Sequence, residues 1–340
     1  MNLEAASAAR SGWAQTLSCA ALVLSASFSL AEPVAPFRPV ATYSIVARDS
    51  ATGDLGVAVQ SHWFSVGSVV PWAEAGVGAV ATQSFVRVSY GPLGLQALRE
   101  GAAPAEALAA LLALDDASAV RQVAFVDARG RVAAHTGQAC IPGAGHLTGD
   151  GYSVQANLML TDDVPQAMAA AYEAATGPLA ERMLVALEAA QRAGGDVRGR
   201  QSAALLVVRA RASAEPWSDR RVDLRVEDHP QPLAELRRLL RLHRAYDLMN
   251  QGDEAMADGD MALALERYAA AEGLIPDNDE FVFWHAVTLV VNERVADALP
   301  LFGRAFAMNP LWIPVVPRLV EKGHLPATPG LTERILATAR

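Results

Sequence analysis

Four short stretches of the chain carry side chains able to make or break bonds. In TYSIVARDSATGDLGVAVQS, residues 42–61, Thr42 heads one alternating segment and Gln60 lies near the end of the next. A threonine hydroxyl is a poor nucleophile unless a base takes its proton. HTGQACIPGAGHLTGD, residues 135–150, gathers His135, Cys140, His146 and Asp150, all metal-capable, in glycine-rich surroundings. Their irregular spacing does not fit a closed zinc site. The stretch reads better as a loop at a cleft mouth, with His135 or His146 orienting a substrate. YSVQANLML sets Gln155 and Asn157 two residues apart, hence on one face of a strand. An asparagine amide at a sheet end either donates to a developing oxyanion or satisfies backbone groups. GGDVRGRQSA crowds Asp196, Arg198 and Ser202 into a tight turn entering a strand, which either orients a reacting group or simply joins a helix to a strand. No metal or other cofactor is expected.

The elements that must position these residues follow from periodicity. TYSIVAR and LGVAVQS alternate and are separated by DSATGD, so they read as a hairpin with a loop longer than two residues. Further strands are expected near residues 67–72 and 76–85, at QVAFVDA and RVAAHT, at YSVQANLML, and at SAALLVVRA and RVDLRVE. Helices are expected from Gly91-Pro92 to Arg99, from Pro104 to Leu114, and over about 164–175 and 178–193, the last stopped by Gly194-Gly195. Residues 137–151 read as a loop. Strands and helix pairs come in blocks, without strand–helix–strand alternation. That order argues for antiparallel sheets with helices outside them.

TYSIVARD, GVAVQS, VGSVVPWAEAGVGAVATQ, YGPLGL, AAHTGQACIPGAGH, TGDGYSVQANLML, GPLAERML, GDVRGRQSAALLV and DLRVEDHPQPLAELRRL resemble, in this order, a bacterial domain-of-unknown-function family assigned to the N-terminal-nucleophile (Ntn) hydrolase-like superfamily. The resemblance implies an α+β fold, a four-layer αββα sandwich of antiparallel sheets, over residues 42–230. It also implies an amide or peptide hydrolase in which Thr42 is the nucleophile and its own freed α-amine the base. The Ala41–Thr42 bond must then be cut. Asn157 would help hold the oxyanion. Asp196, Arg198 and Ser202 would set charge and orientation around Thr42. Gln60, Gln155, His135 and His146 would contact a small amide or peptide substrate. One departure stands out: a proteasome-type site uses a lysine, and the only lysine of this chain is Lys322. The other reading is a non-catalytic binding or assembly protein on the same fold.

Composition bounds the rest. A chain of 340 residues suggests about two domains, and its 52% hydrophobic content is ample for full cores. A net charge of -9 with no basic run excludes nucleic acid as a main partner. Arg10, the apolar run from Trp13 to Leu30 and the small residues Ser29 and Ala31 predict a cleaved secretory signal over residues 1–31. The mature protein is then periplasmic or secreted, without stable membrane insertion, and keeps Cys140 but not Cys19. EPVAPFRPVA, residues 32–41, reads as a linker or propeptide. From residue 231 to 340 the pattern is helical. Ala264-Leu265, Tyr268, Ala271 and Pro276 recur as Ala298-Leu299, Phe302, Ala305 and Pro310, an offset of 34 residues (310 less 276). That period is the tetratricopeptide signature, and such a tail is expected to dock a protein partner. A homo-oligomer is also compatible with the sequence.

Overall fold

A computed structural model describes residues 42–339. The expected signal and linker, Cys19 among them, lie outside the described residues. The strands are β1 (Thr42–Arg48), β2 (Leu55–Ser61), β3 (Pro71–Glu74), β4 (Gly78–Ser84), β5 (Arg121–Asp127), β6 (Val132–Thr136), β7 (Gly145–Gly149), β8 (Tyr152–Asn157), β9 (Ser202–Val208) and β10 (Arg220–Val226). They form a six-stranded sheet, ordered β10-β9-β2-β1-β8-β7, and a four-stranded sheet, β3-β4-β5-β6. Every pairing within them is antiparallel.

Alternation along the strands builds the layers. Tyr43, Ile45 and Ala47 of β1 point to one side, into a core shared with α3 (Val164–Ala174), α4 (Leu179–Arg192) and the start of α5 (Pro232–Ala257). Val46, with Val57 and Val59 of β2, points to the other side and packs against Ala79, Ala81, Ala124 and Val126 of the four-stranded sheet. The outer face of that sheet, through Val80, Val123 and Phe125, carries α1 (Tyr90–Arg99) and α2 (Pro104–Ala113). Glycine permits the closest approaches. A Cβ on Gly91 of α1 would lie 2.3 Å from the Trp72 ring, and one on Gly56 of β2 would lie 2.5 Å from the Met183 methyl of α4.

The first hairpin has its register fixed by turn chemistry. Asp49 Oδ1 accepts from the amides of Ala51 (2.8 Å) and Thr52 (2.9 Å), and Gly53 takes φ +78°, in the left-handed region. The ladder then runs from Arg48 opposite Leu55 to Thr42 opposite Ser61. One expectation is corrected here: residues 137–151 are not all loop, because Gly145–Gly149 forms the edge strand β7 against β8. Its two glycines hid the strand signal.

The remaining helices are α6 (Met261–Leu274), α7 (Asp279–Val291), α8 (Val295–Met308), α9 (Val315–Glu321) and α10 (Leu331–Leu336). The 26 residues of α5 span roughly 39 Å. Its first turns place Leu233, Leu236 and Leu240 on the six-stranded sheet, and Arg237 forks onto Glu188 of α4 at 2.5 and 2.9 Å. Its later turns place Ala245, Met249 and Ala255 against Ala264, Tyr268 and Ala271 of α6. The equivalent Ala298, Phe302 and Ala305 of α8 are buried against Val282, Phe283 and Ala286 of α7. No helix among the described residues is long and apolar enough to cross a membrane.

Ala264 and Ala298 are both fully buried where helices cross. Replacing either by leucine should lower stability by about 1–3 kcal/mol through overpacking. Urea unfolding of Ala264→Leu and Ala298→Leu tests this. Midpoints equal to the parent's would contradict the packing described.

Candidate active site

The register of four strands brings four polar side chains into one row at the end of the six-stranded sheet. Thr42 of β1 stands opposite Ser61 of β2 and Asn157 of β8, and Ser61 stands opposite Ser202 of β9. Residues paired across strands share a face, here the face turned toward the four-stranded sheet. All four are buried. The Thr42 hydroxyl donates to Ser61 Oγ at 3.2 Å.

Behind this row lies a chain of buried amides between the sheets. Asn157 Nδ2 donates to Gln122 Oε1 of β5 at 2.9 Å. Gln83 of β4 donates to the same oxygen at 2.7 Å, and to the backbone carbonyls of Thr42 and Gln155, both at 3.3 Å. Gln83 Oε1 accepts from Ser44, which accepts from Gln155, both at 2.6 Å. Gln122 Nε2 donates to the Ala156 carbonyl at 2.8 Å and to Thr136 Oγ1 at 2.9 Å. The Thr136 hydroxyl meets His146 Nδ1 at 2.8 Å. Burial, and secondarily the charge of His135, hold the His146 ring below its ordinary pKa of 6.5.

The turn after α4 closes the same end. Asp196 is bridged to Met159, just beyond β8, and Val197 N donates to the Leu158 carbonyl at 3.2 Å. Asp196 Oδ2 accepts from His62 N at 3.0 Å, fixing the residue after Ser61. The buried carboxylate is neutralised by Arg198, whose Nε and Nη2 reach it at 3.1 and 2.8 Å. Ser202 is committed to the same segment: its hydroxyl donates to the Trp63 carbonyl and accepts from Val66 N at 3.1 Å. Asp196, Arg198 and Ser202 therefore hold the backbone around Ser61. Backbone strain gathers nearby. Ser84 follows Gln83 with φ +68°, Leu158 follows Asn157 with φ +57°, and Ser65 lies in the segment that Ser202 holds, with φ +56°.

Two expected site residues fall elsewhere, both through strand parity. Gln60 neighbours Ser61 but is paired with Tyr43 and Ala203, whose side chains lie in the helix-covered core. Its side chain is on the far face from Thr42, and neither of its amide atoms has a partner among the described residues. His135 neighbours Thr136 but is paired with Val123, on the face covered by α1 and α2. Its Nε2 meets the Ser118 carbonyl at 2.9 Å. Cys140 reaches the Arg121 carbonyl at 3.4 Å, and burial raises its thiol pKa. His135, Cys140 and His146 therefore have separate partners or faces. Gln83, Gln122, Ser61 and Thr136 are the residues that the sequence reading missed. Their signal is parity: each lies on the inward face of its strand once the register is known.

A family model described as a family of unknown function, DUF1028, matches residues 42–236. Among solved structures, the chain is similar to the crystal structure of the DUF1028 protein SPO2555 from Silicibacter pomeroyi. The two are 32% identical, with a TM-score of 0.53, over 59% of this chain and 85% of that one. No curated protein matches.

The buried network makes two predictions. Gln122→Leu removes the acceptor of the buried Asn157 amide and one of the three acceptors of Gln83, and stranding the Asn157 donor alone costs about 1–3 kcal/mol. The variant should lose about 2 kcal/mol or more in urea unfolding, and a parent-like midpoint would contradict the network. The depressed His146 pKa contributes stability that is fully present above 6.5, the ordinary value, and is lost as pH falls through the lower, folded value. Acidification below that point should therefore cost the parent more stability than His146→Asn. Equal losses in both proteins would show that His146 does not titrate this way.

Proposed function

The chain belongs to the family of unknown function DUF1028, and on that premise we propose that residues 42–230 are an Ntn-type hydrolase of small amides or peptides, with Thr42 as nucleophile. The observation that carries this reading is the row at the sheet end: the Thr42 hydroxyl donates to Ser61 at 3.2 Å, with the Asn157 amide on its other side. Local strain beside Gln83 and Asn157, at Ser84 and Leu158, supports it, because strained backbone concentrates at working sites. The antiparallel sheets with helices outside both fit the four-layer sandwich of that superfamily. The paired burial of Ala264 with Ala298 and of Tyr268 with Phe302 supports a tetratricopeptide-like tail. Residues 1–31 support export to the periplasm or beyond.

In this mechanism, cleavage of Ala41–Thr42 frees an amine with a reference pKa of about 7.7–8.0. The neutral amine takes the hydroxyl proton as Oγ1 attacks the substrate carbonyl carbon. The developing oxyanion takes a hydrogen bond from Asn157 Nδ2, whose orientation is held by Gln122. The C–N bond breaks, the ammonium returns its proton to the leaving amine, and an ester on Thr42 remains. Water, deprotonated by the same amine, then hydrolyses that ester. Lys322 lies in the helical tail, so the amine works without a lysine, and its field is set by amides and the Asp196–Arg198 pair.

A second reading has one observation in its favour. Gln83, Gln122 and Asn157 bond one another, Gln155 joins them through Ser44, and together they fill the space between the sheets. That arrangement also suits a non-catalytic scaffold whose tail docks a partner.

Terminal sequencing and turnover of a small amide library separate the two. The catalytic reading expects a terminus at Thr42, loss of both processing and turnover in Thr42→Ala, and partial retention of both in Thr42→Ser. Turnover should rise with pH through about 8, as the amine loses its proton. Amide hydrolysis by Thr42→Ala at the parent's rate would remove Thr42 from the mechanism. An unprocessed terminus at Glu32 with no turnover would favour the scaffold.

A further inference from the structure

The helical tail holds an open cavity of about 680 Å³, between α5, α7 and the end of α9. That volume lies in the range of ligand clefts. Its walls are one side of α5 and one side of α7, where Met249 and Val287 are buried against α6 and α8 while Tyr246, Trp284 and Val291 are left exposed. On α5, Tyr246, Met249, Asp253 and Met256 recur at helical spacing; on α7, Glu280, Trp284, Val287 and Val291 do the same. Stripes of this period normally face another helix. Tyr246, Trp284 and Val291 remain 39%, 36% and 48% exposed, although tryptophan and tyrosine are the side chains that most often anchor interfaces.

The charge on these walls is of one sign. Asp253 and Glu280 line the groove, and His324 is its one basic lining residue. Each carboxylate is oriented by a tyrosine: Tyr268 donates to Asp253 Oδ1 and Tyr246 to Glu280 Oε2, both at 2.6 Å. The second oxygen of each has no partner among the described residues, and neither carboxylate has an ion pair there. An apolar groove with oriented, unneutralised carboxylates beside aromatic faces complements a cation carried on an apolar stem.

We propose that this groove is a docking site for an amphipathic helix of a partner protein that carries lysine or arginine at the edge of its apolar face. The helix covers the exposed Tyr246, Trp284 and Val291, and its cation meets Asp253 and Glu280 over the rings of Tyr246 and Trp284. This inference rests on the reading of the tail as a docking module, does not involve Thr42, and stands whether or not the first domain is an enzyme.

The test uses the full purified chain and three labelled peptides, read by fluorescence anisotropy. One is an amphipathic helix of leucine and lysine. The second has glutamate in place of lysine, and the third has glycine in place of leucine. Only the leucine–lysine peptide should bind, more weakly as salt rises. Its affinity should fall about tenfold or more when Asp253→Asn and Glu280→Gln are combined. Both replacements keep an oxygen for the tyrosine hydroxyls, so the fold is retained, and unchanged helical circular dichroism confirms it. Trp284→Ala should weaken binding as well. Equal binding of the glutamate peptide, binding of the glycine peptide, or parent-like affinity in the double variant would each overturn the proposal. So would a dimer in sedimentation that Trp284→Ala dissolves, since the occupant would then be a second copy.

Discussion

The alignment of β1 with its neighbours is the constraint on which the rest of this structure depends. Because side chains alternate with period two, a slip of one residue would send Thr42 into the helix-covered core and bring Tyr43 between the sheets. Two independent devices prevent the slip. At one end, the Asp49 carboxylate and Gly53 fix the length of the turn into β2. At the other, the Gln83 amide bonds the carbonyls of Thr42 and Gln155, which belong to adjacent strands of the opposite sheet. The second device binds the two sheets as well as the two strands, and a single amide group thereby fixes the row at the sheet end.

Magnitudes favour the amides over the ion pairs as the specifying element. Asp196–Arg198 joins a buried carboxylate to a partly solvated arginine, and the desolvation cost of such a pair offsets much of its attraction. The amides between the sheets are fully buried, and each polar atom left unpaired there costs about 1–3 kcal/mol. A misregistered sheet would strand several at once. The interior is thus intolerant of alternatives, and it can hold left-handed φ values at Ser84 and Leu158 without relaxing.

Most of the fold is legible in the sequence because local signals and tertiary packing agree. The DSATGD turn, the Gly-Pro and Pro starts of α1 and α2, and the 34-residue echo of Ala264 in Ala298 all name elements that exist. Edge strand β7 was hidden by its glycines. The candidate site was half legible. Thr42, Asn157, Ser202 and the Asp196 turn meet at one sheet end, since they lie at strand ends that the order of elements brings together. Gln60 and His135 were assigned by side-chain type, and parity places their neighbours Ser61 and Thr136 inward instead. Gln83 and Gln122 carried no local signal at all, because an amide inside an apolar strand acquires meaning only from the partner sheet. The cavity of the tail was equally hidden, being made by the spacing of α5 and α7.

The most direct test of the central claim is mass-spectrometric peptide mapping after brief exposure of the processed protein to an activated ester. The account predicts one acyl group, on the terminal peptide that begins with Thr42, and none in Thr42→Ala. An acyl group on another residue, or none on the parent while it hydrolyses amides, would contradict it.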